Sequence, residues 1–307
     1  MNLTKTTYTE NSLALGTKAQ DILSNAKSEN TRKAYKTDVQ KYLAWASTKD
    51  YTSEVVMIEY FTYLLNAGYK YSSVKRAKVA LTSTCGIQVS KLTKEFIKGA
   101  SKTKFEAKPV SSKKETTAIN INTLRNAVDM IARDKTKTSI RDKALILLGF
   151  VGAFRAKELT GLKWQDIKFV PSGLEISLYG TKTTAINEGK ELKVIPKSTS
   201  KNGLYCAVKA IKELQKESED NEYVFLSASN NAKHKPISKV GFWNIVKKYC
   251  GSEFSPHSLR AGLITTAYKN GSNIKDIMTR TGHKDTNTAL GYVKNTDYWN
   301  AEINIGL

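Results

Sequence analysis

Apolar residues recur at three- and four-residue steps through two long regions of the chain, with a polar stretch between them. In the first region, NTRKAYKTDVQKYLAWA sets Tyr35, Val39, Tyr42, Leu43 and Ala46 on one helical face, with Asn30 as a candidate cap. SEVVMIEYFTYLLNAG repeats the pattern through Val55, Ile58, Phe61, Leu64 and Leu65, and Gly68 suits the position just past a helix end. SSVKRAKVALTSTCG and the short TKEFIKG follow, so a four-helix bundle is expected within residues 18–100. Residues 101–118 are polar and basic, contain Pro109 and lack periodicity, which reads as a linker.

A second domain is expected over 119–307. It opens with a helix at 121–133 and continues with the apolar helix RDKALILLGFVGA. Strand-like segments follow around 174–179 and 191–196, separated by TKTTAINEGK, whose Gly, Asn and Thr content suits a turn. Helical periodicity returns in NGLYCAVKAIKELQKES, SKVGFWNIVKKY, PHSLRAGLITTAYKNG and NIKDIMTRTG. The expected class is mainly α with a small antiparallel β-sheet. No internal repeat or low-complexity tract interrupts it.

Charge narrows what such a chain can do. Its 307 residues carry 49 Lys and Arg against 28 Asp and Glu, a formal charge of +21, which favours a polyanionic partner such as a nucleic acid. Hydrophobic residues make up 40% of the chain, enough for packed cores. The longest apolar run, ALILLGFVGAF at 144–154, is too short to span a bilayer, and the polar start MNLTKTTYTENS offers no hydrophobic signal segment. A cytoplasmic location without membrane contact is expected. Cys85, Cys206 and Cys250 are widely spaced and fit no metal pattern, so they read as reduced thiols, mostly in the core. Lys33, Lys36, Lys75, Arg76 and Lys78 share one sign on helix starts and polar faces, and are candidates for contact with DNA phosphates.

The second domain also carries a set of reactive residue types: Arg155 in GAFRAKEL, Lys182 in GTKT, His257 and Arg260 in PHSLR, His283 in TGHKD and Tyr292 in LGYVK. Each has an ordinary structural explanation on its own. Arg155 can pair with Glu158, an HxxR on a helix is a common surface pair, and Tyr292 is one of 15 tyrosines. As a set they suit phosphoryl chemistry. Guanidiniums fork onto two phosphate oxygens and stay charged, neutralising an anion that repels nucleophiles. A tyrosine hydroxyl, with an ordinary pKa of about 10, becomes a nucleophile when its proton is removed or a positive field favours phenolate.

Three segments together carry a resemblance. GAFRAKELTGLKWQDI, PHSLRAGLIT and TGHKDTNTALGYVK resemble the conserved boxes of the Cre- and Xer-like tyrosine recombinases of the phage-integrase family, and the likeness covers nearly the whole chain. Two departures stand out: Ala153 and Phe154 precede the arginine where the family often has a smaller or Leu-like pair, and the tail beyond Tyr292 is short. The resemblance implies a SAM-like core-binding helical bundle followed by a catalytic domain, and site-specific DNA cleavage and rejoining through a 3′-phosphotyrosyl intermediate. It gives Tyr292 the attack and Arg155 and Arg260 the phosphate. It makes Lys182 the acid that protonates the leaving 5′ oxygen, with Lys190 and Lys193 of the same hairpin as competitors for that part. His257 would orient the phosphate or act as base, His283 would donate to the phosphate, and Glu158 would support the scaffold.

No cofactor and no metal are implied, because one phosphoester replaces another of similar energy. The implied partners are double-stranded DNA with inverted-repeat sites, clamped between the two domains, and other copies of the chain. Residues 295–307 would link protomers into a homotetramer on two sites, with a monomer or weak oligomer in the free protein. The short segment ahead of the first helix leaves little room for a separate arm-binding domain. The rival readings are DNA relaxation of the type IB topoisomerase kind, and a catalytically silent DNA-binding protein.

Overall fold

The computed structural model describes residues 27–103, 117–179, 189–198, 203–218, 221–229, 234–283 and 285–291. It divides into two compact units, Met1–Lys113 and Lys114–Leu307.

The first unit contains helices α1 (Glu29–Trp45), α2 (Glu54–Asn66), α3 (Tyr71–Thr84) and α4 (Lys91–Ala100). Ser28, not Asn30, caps α1: its side chain accepts from the Thr31 amide and leaves Asn30 inside the first turn. The chain leaves α2 through Gly68 at φ 82°, a left-handed backbone that costs glycine nothing. Tyr42, Met57, Phe61, Val74, Ala80 and Leu81 are fully buried between the helices. Arg76 on α3 donates to both carboxylate oxygens of Asp38 on α1, at 2.7 and 2.9 Å, a two-pronged brace between the helices.

The second unit contains α5 (Ile121–Ala132), α6 (Lys137–Val151), α7 (Ala156–Thr160), α8 (Ala207–Glu217), α9 (Lys239–Cys250), α10 (Pro256–Lys269), α11 (Ile274–Thr281) and α12 (Thr286–Leu290), together with a three-stranded antiparallel sheet. The strands β1 (Ile167–Val170), β2 (Gly173–Tyr179) and β3 (Lys190–Pro196) run in the order β1-β2-β3. Strands β2 and β3 match the segments expected near 174–179 and 191–196. Strand β1 is additional, a four-residue segment too short to show alternation, which pairs Ile167 with Ile176 and Val170 with Gly173.

Helix α6 is the centre of this unit. Ala144 to Phe150 are buried on every side because α5, α8 and α10 all pack against it. Its buried charges are answered internally: Arg141 donates to Asp142 at 2.6 Å and to the Leu226 carbonyl at 2.8 Å. Cys206 and Cys250 are buried and Cys85 is half-buried.

Helix α10 carries two of the candidate residues and begins with Pro256 at its first position, where a missing N–H costs nothing. It is held against the incoming chain by the Ile119 amide, which donates to the Ser258 carbonyl at 3.1 Å. That approach needs a glycine. A Cβ on Gly262 would lie 2.3 Å from the Ile119 carbonyl oxygen and 2.7 Å from the Phe150 ring. Gly262→Ala is therefore expected to destabilise the unit by about 2–3 kcal/mol, as overpacking against backbone does. A thermal melt that shifts by less than about 2 °C would contradict this packing account.

Candidate active site

The site is built where α6 stops. After Val151 the chain turns through Gly152 and Ala153, and Ala153 is held at φ 48°, a left-handed conformation that disfavours a side chain. The strain has a structural return. It turns the Ala153 carbonyl toward α10, where Arg260 Nη1 donates to it at 2.6 Å. Phe154 fills the space beneath, so closely that a Cβ on Gly152 would lie 2.1 Å from its ring. Ala153 and Phe154, the pair that departs from the resembled pattern, thus make a tight turn that seats the arginine.

Arg155 sits at the N-cap of α7, and Glu158 fixes it with both oxygens. One accepts from the Arg155 amide at 2.8 Å and the other from its guanidinium at 2.7 Å. Arg260, one turn beyond His257 on α10, is 1% exposed, whereas His257 is exposed. The second end of the Arg260 fork reaches His283, with Nη2 2.9 Å from Nε2. A guanidinium only donates, so Nε2 accepts and the ring proton sits on Nδ1. Nδ1 lies 2.9 Å from Thr281 Oγ1, and that hydroxyl donates onward to the Ile277 carbonyl at 2.7 Å. His283 reaches this place because Gly282 ends α11 at φ 67°, the left-handed turn that reverses the chain at many helix ends.

Electrostatically this is a cationic centre around a neutral imidazole. Burial, together with the charges of Arg260, Arg155, His257 and Lys193, pushes His283 down to about 4. Four of the residues expected from the sequence, Arg155, His257, Arg260 and His283, therefore share one neighbourhood, with Glu158 bracing the first. His283 thus accepts from Arg260 at Nε2 and faces Thr281 at Nδ1. Lys182 and Tyr292 lie outside the described residues, as do residues 295–307.

Lys193, named from the sequence as a competitor for the part of Lys182, is the hairpin lysine that the described residues place in this neighbourhood. Its ammonium is buried on β3, donates to the Arg280 carbonyl at 2.8 Å and lies 3.6 Å from Glu191. Burial and Arg260 push its pKa down, against the pull of Glu191 and Glu158. Thr281 and the Ala153 carbonyl are further partners; both lie inside the quoted segments, but the sequence alone assigns neither a role.

In the first unit Lys33, Lys36 and Lys75 are exposed and Lys78 is half-buried. Lys33 pairs with Glu29 at 2.7 Å across a solvent-exposed turn, and Lys75 lies over the Tyr71 ring. Arg76 is the exception, since its fork is bound to Asp38.

The profile of the phage integrase family matches residues 114–298. An integrase/recombinase described as a XerD homologue, from Selenomonas ruminantium, is 27% identical over 309 residues, spanning 95% of this chain and 89% of its own length. The tyrosine recombinase XerD of Halalkalibacterium halodurans is 24% identical over 277 residues, spanning 86% of this chain and 87% of its own. Among solved structures, the Tn1549 transposon integrase in complex with circular intermediate DNA superposes with a TM-score of 0.60 at 16% identity, over 91% of this chain and 94% of that one. The last of these is a likeness of fold.

Proposed function

The chain belongs to the phage integrase family, and from that premise we propose how its residues carry out the reaction. It is a tyrosine-type site-specific DNA recombinase, which cleaves DNA strands and rejoins them to new partners. The observation that carries the mechanism is the Arg260 fork, buried and aimed between Ala153 and His283, with Arg155 and His257 adding charge to the same neighbourhood.

A backbone phosphate entering this centre is a stronger acceptor than a neutral imidazole, so it takes over Nη2 of Arg260 while Arg155 and His257 approach its other oxygens. The arriving anion also reverses the pressure on His283. A negative charge beside the ring favours protonation, and the ring then has an N–H to give to the phosphate. Tyr292 forms a bond to phosphorus as the bond to the 5′ oxygen breaks, and Lys182 supplies the proton that this oxygen needs. His257 orients the phosphate or takes the proton from the tyrosine. The products are a 3′-phosphotyrosyl linkage and a free 5′ hydroxyl, and attack by a 5′ hydroxyl from another strand reverses the step. No net phosphoester is lost.

Residues 18–100 serve in this reading as a core-binding domain and residues 119–307 as the catalytic domain, joined by 101–118. Lys33, Lys36, Lys75 and Lys78 approach DNA phosphates, whereas Arg76 contributes through the α1–α3 brace. Four copies on two inverted-repeat sites, linked through 295–307, exchange the strands. The reaction belongs to the compartment that holds the DNA, the cytoplasm in a bacterial cell; among the described residues no helix is long and apolar enough to cross a membrane.

Incubating the chain in chelator, without nucleotide, on a nicked duplex bearing its site should give a protein–DNA complex that survives denaturation, together with a free 5′ hydroxyl. Its binding should weaken steeply with salt, with a log–log slope between about −5 and −9 for some 6 to 10 phosphate contacts. Binding without any denaturation-resistant complex would return the chain to the silent DNA-binding reading.

A further inference from the structure

We propose that Lys193 is a positioning residue of this site: from the middle of β3 it holds the end of α11 and so sets His283 against Arg260. The inference rests on the recombinase reading given above, but the contacts that carry it are independent of that reading.

The first observation is that β3 faces the wrong way for its side chains. Alternation along ELKVIP would bury Leu192 and Val194 and expose Lys193. Instead Leu192 and Val194 are 50% and 49% exposed, while Lys193 is 4% exposed beside the fully buried Ile195. A strand that exposes a leucine and a valine and buries an ammonium breaks a local rule, and such breaks concentrate at functional sites.

The second observation is what the ammonium does. It donates to the Arg280 carbonyl at 2.8 Å, one of the last α11 carbonyls without a partner in its own helix, at the end where the helix dipole favours a cation. The contact is returned, since Arg280 Nη1 donates to the Val194 carbonyl at 2.8 Å. Strand and helix end are therefore tied twice, both times at Arg280, three residues before His283. The same strand closes on the turn itself: a Cβ on Gly282 would lie 2.7 Å from Glu191 Oε1.

The third observation is electrostatic. The charged groups around His283 are Arg155 from α7, His257 and Arg260 from α10 and Lys193 from β3, with Glu158 and Glu191 as the nearby anions. Within that set Arg260 binds the His283 ring itself, and Lys193 binds the helix end that carries it.

Lys193→Met, similar in length and uncharged, tests the proposal in the full chain by two readouts. With only three histidines in the sequence, His283 can be followed through its own NMR titration. Its pKa should rise by roughly half a unit to one unit once a neighbouring cation is gone and the turn is released. Cleavage of a nicked duplex should slow by roughly 10- to 100-fold, the scale of a small misplacement. The loss should be non-additive with His283→Gln, the double variant being no slower than His283→Gln within about 3-fold. Arg280→Gln changes a more exposed side chain and keeps a folded comparison, and should give a smaller loss coupled to His283 in the same way.

An unchanged His283 titration together with additive losses would overturn the proposal. So would recovery of Lys193→Met on a substrate with sulfur in place of the bridging 5′ oxygen, because a thiolate leaves without a proton and such recovery would make Lys193 the acid. A wild-type chain that forms no covalent complex would defeat the recombinase reading, while the titration would still decide the part played by Lys193.

Discussion

A Tyr292→Phe chain is expected to bind its duplex with unchanged affinity and to form no covalent complex, a loss on the order of 10⁴-fold or more in cleavage rate. The size follows from the chemistry. In the proposed reaction the phenolic oxygen is the atom that bonds to phosphorus, and phenylalanine removes that atom while keeping the ring. Water could attack in its place only without the positioning that gives an enzyme-held nucleophile its advantage. The positive neighbourhood formed by Arg155, Arg260, His257 and Lys193 would also favour the phenolate of a tyrosine that reaches it. Denaturing gels of wild type and variant on one nicked substrate make the comparison, and an undiminished adduct in the variant would move the nucleophile to another residue.

The second large effect belongs to Arg260. Removing one preorganised donor from a developing oxyanion costs about 10²–10³ in rate, and Arg260 offers two in a fixed fork. Arg260→Ala is therefore expected to slow cleavage by roughly 10³- to 10⁴-fold. Arg260→Lys should recover little of this, because a point charge on a flexible stem cannot replace a planar fork held between Ala153 and His283. Arg260 is also buried and satisfies the carbonyl of a strained turn, so each variant must be compared at equal folded fraction, with DNA binding measured alongside.

Much of this arrangement was legible in the sequence. The helical face of α1 follows from its apolar spacing, whereas on α2 Met57 and Tyr60 are buried in place of Val55, which is exposed, and Ile58, which is partly buried; the boxes around Arg155, Arg260 and His283 mark residues that the fold brings together. What periodicity could not give was depth. His257 and Arg260 occupy one face of α10 by spacing, yet one is exposed and the other is among the most buried side chains, because the Ala153 turn and α11 close over the second. The Ser28 cap was missed in favour of Asn30, since both residues are good caps and only the backbone path selects between them. Strand β1 was missed because four residues carry too little alternation to register. The burial of Lys193, a residue named from the sequence only as a competitor for the acid, was hidden for the opposite reason: β3 alternates clearly, and the rule assigns its lysine to solvent. The carbonyl at the end of α11, together with the Glu191 carboxylate and the Phe154 ring, explains why it points inward.

In the proposed reaction this cationic centre neutralises the charge of one DNA phosphate. That role is tested most directly by replacing a non-bridging oxygen of the scissile phosphate with a methyl group, which removes that charge, and comparing cleavage by wild type and Arg260→Ala. The account predicts that the deficit of Arg260→Ala, about 10³-fold or more on ordinary DNA, shrinks to within about 10-fold on the neutral substrate. An equal deficit on both substrates would mean that Arg260 serves the fold and not the phosphate.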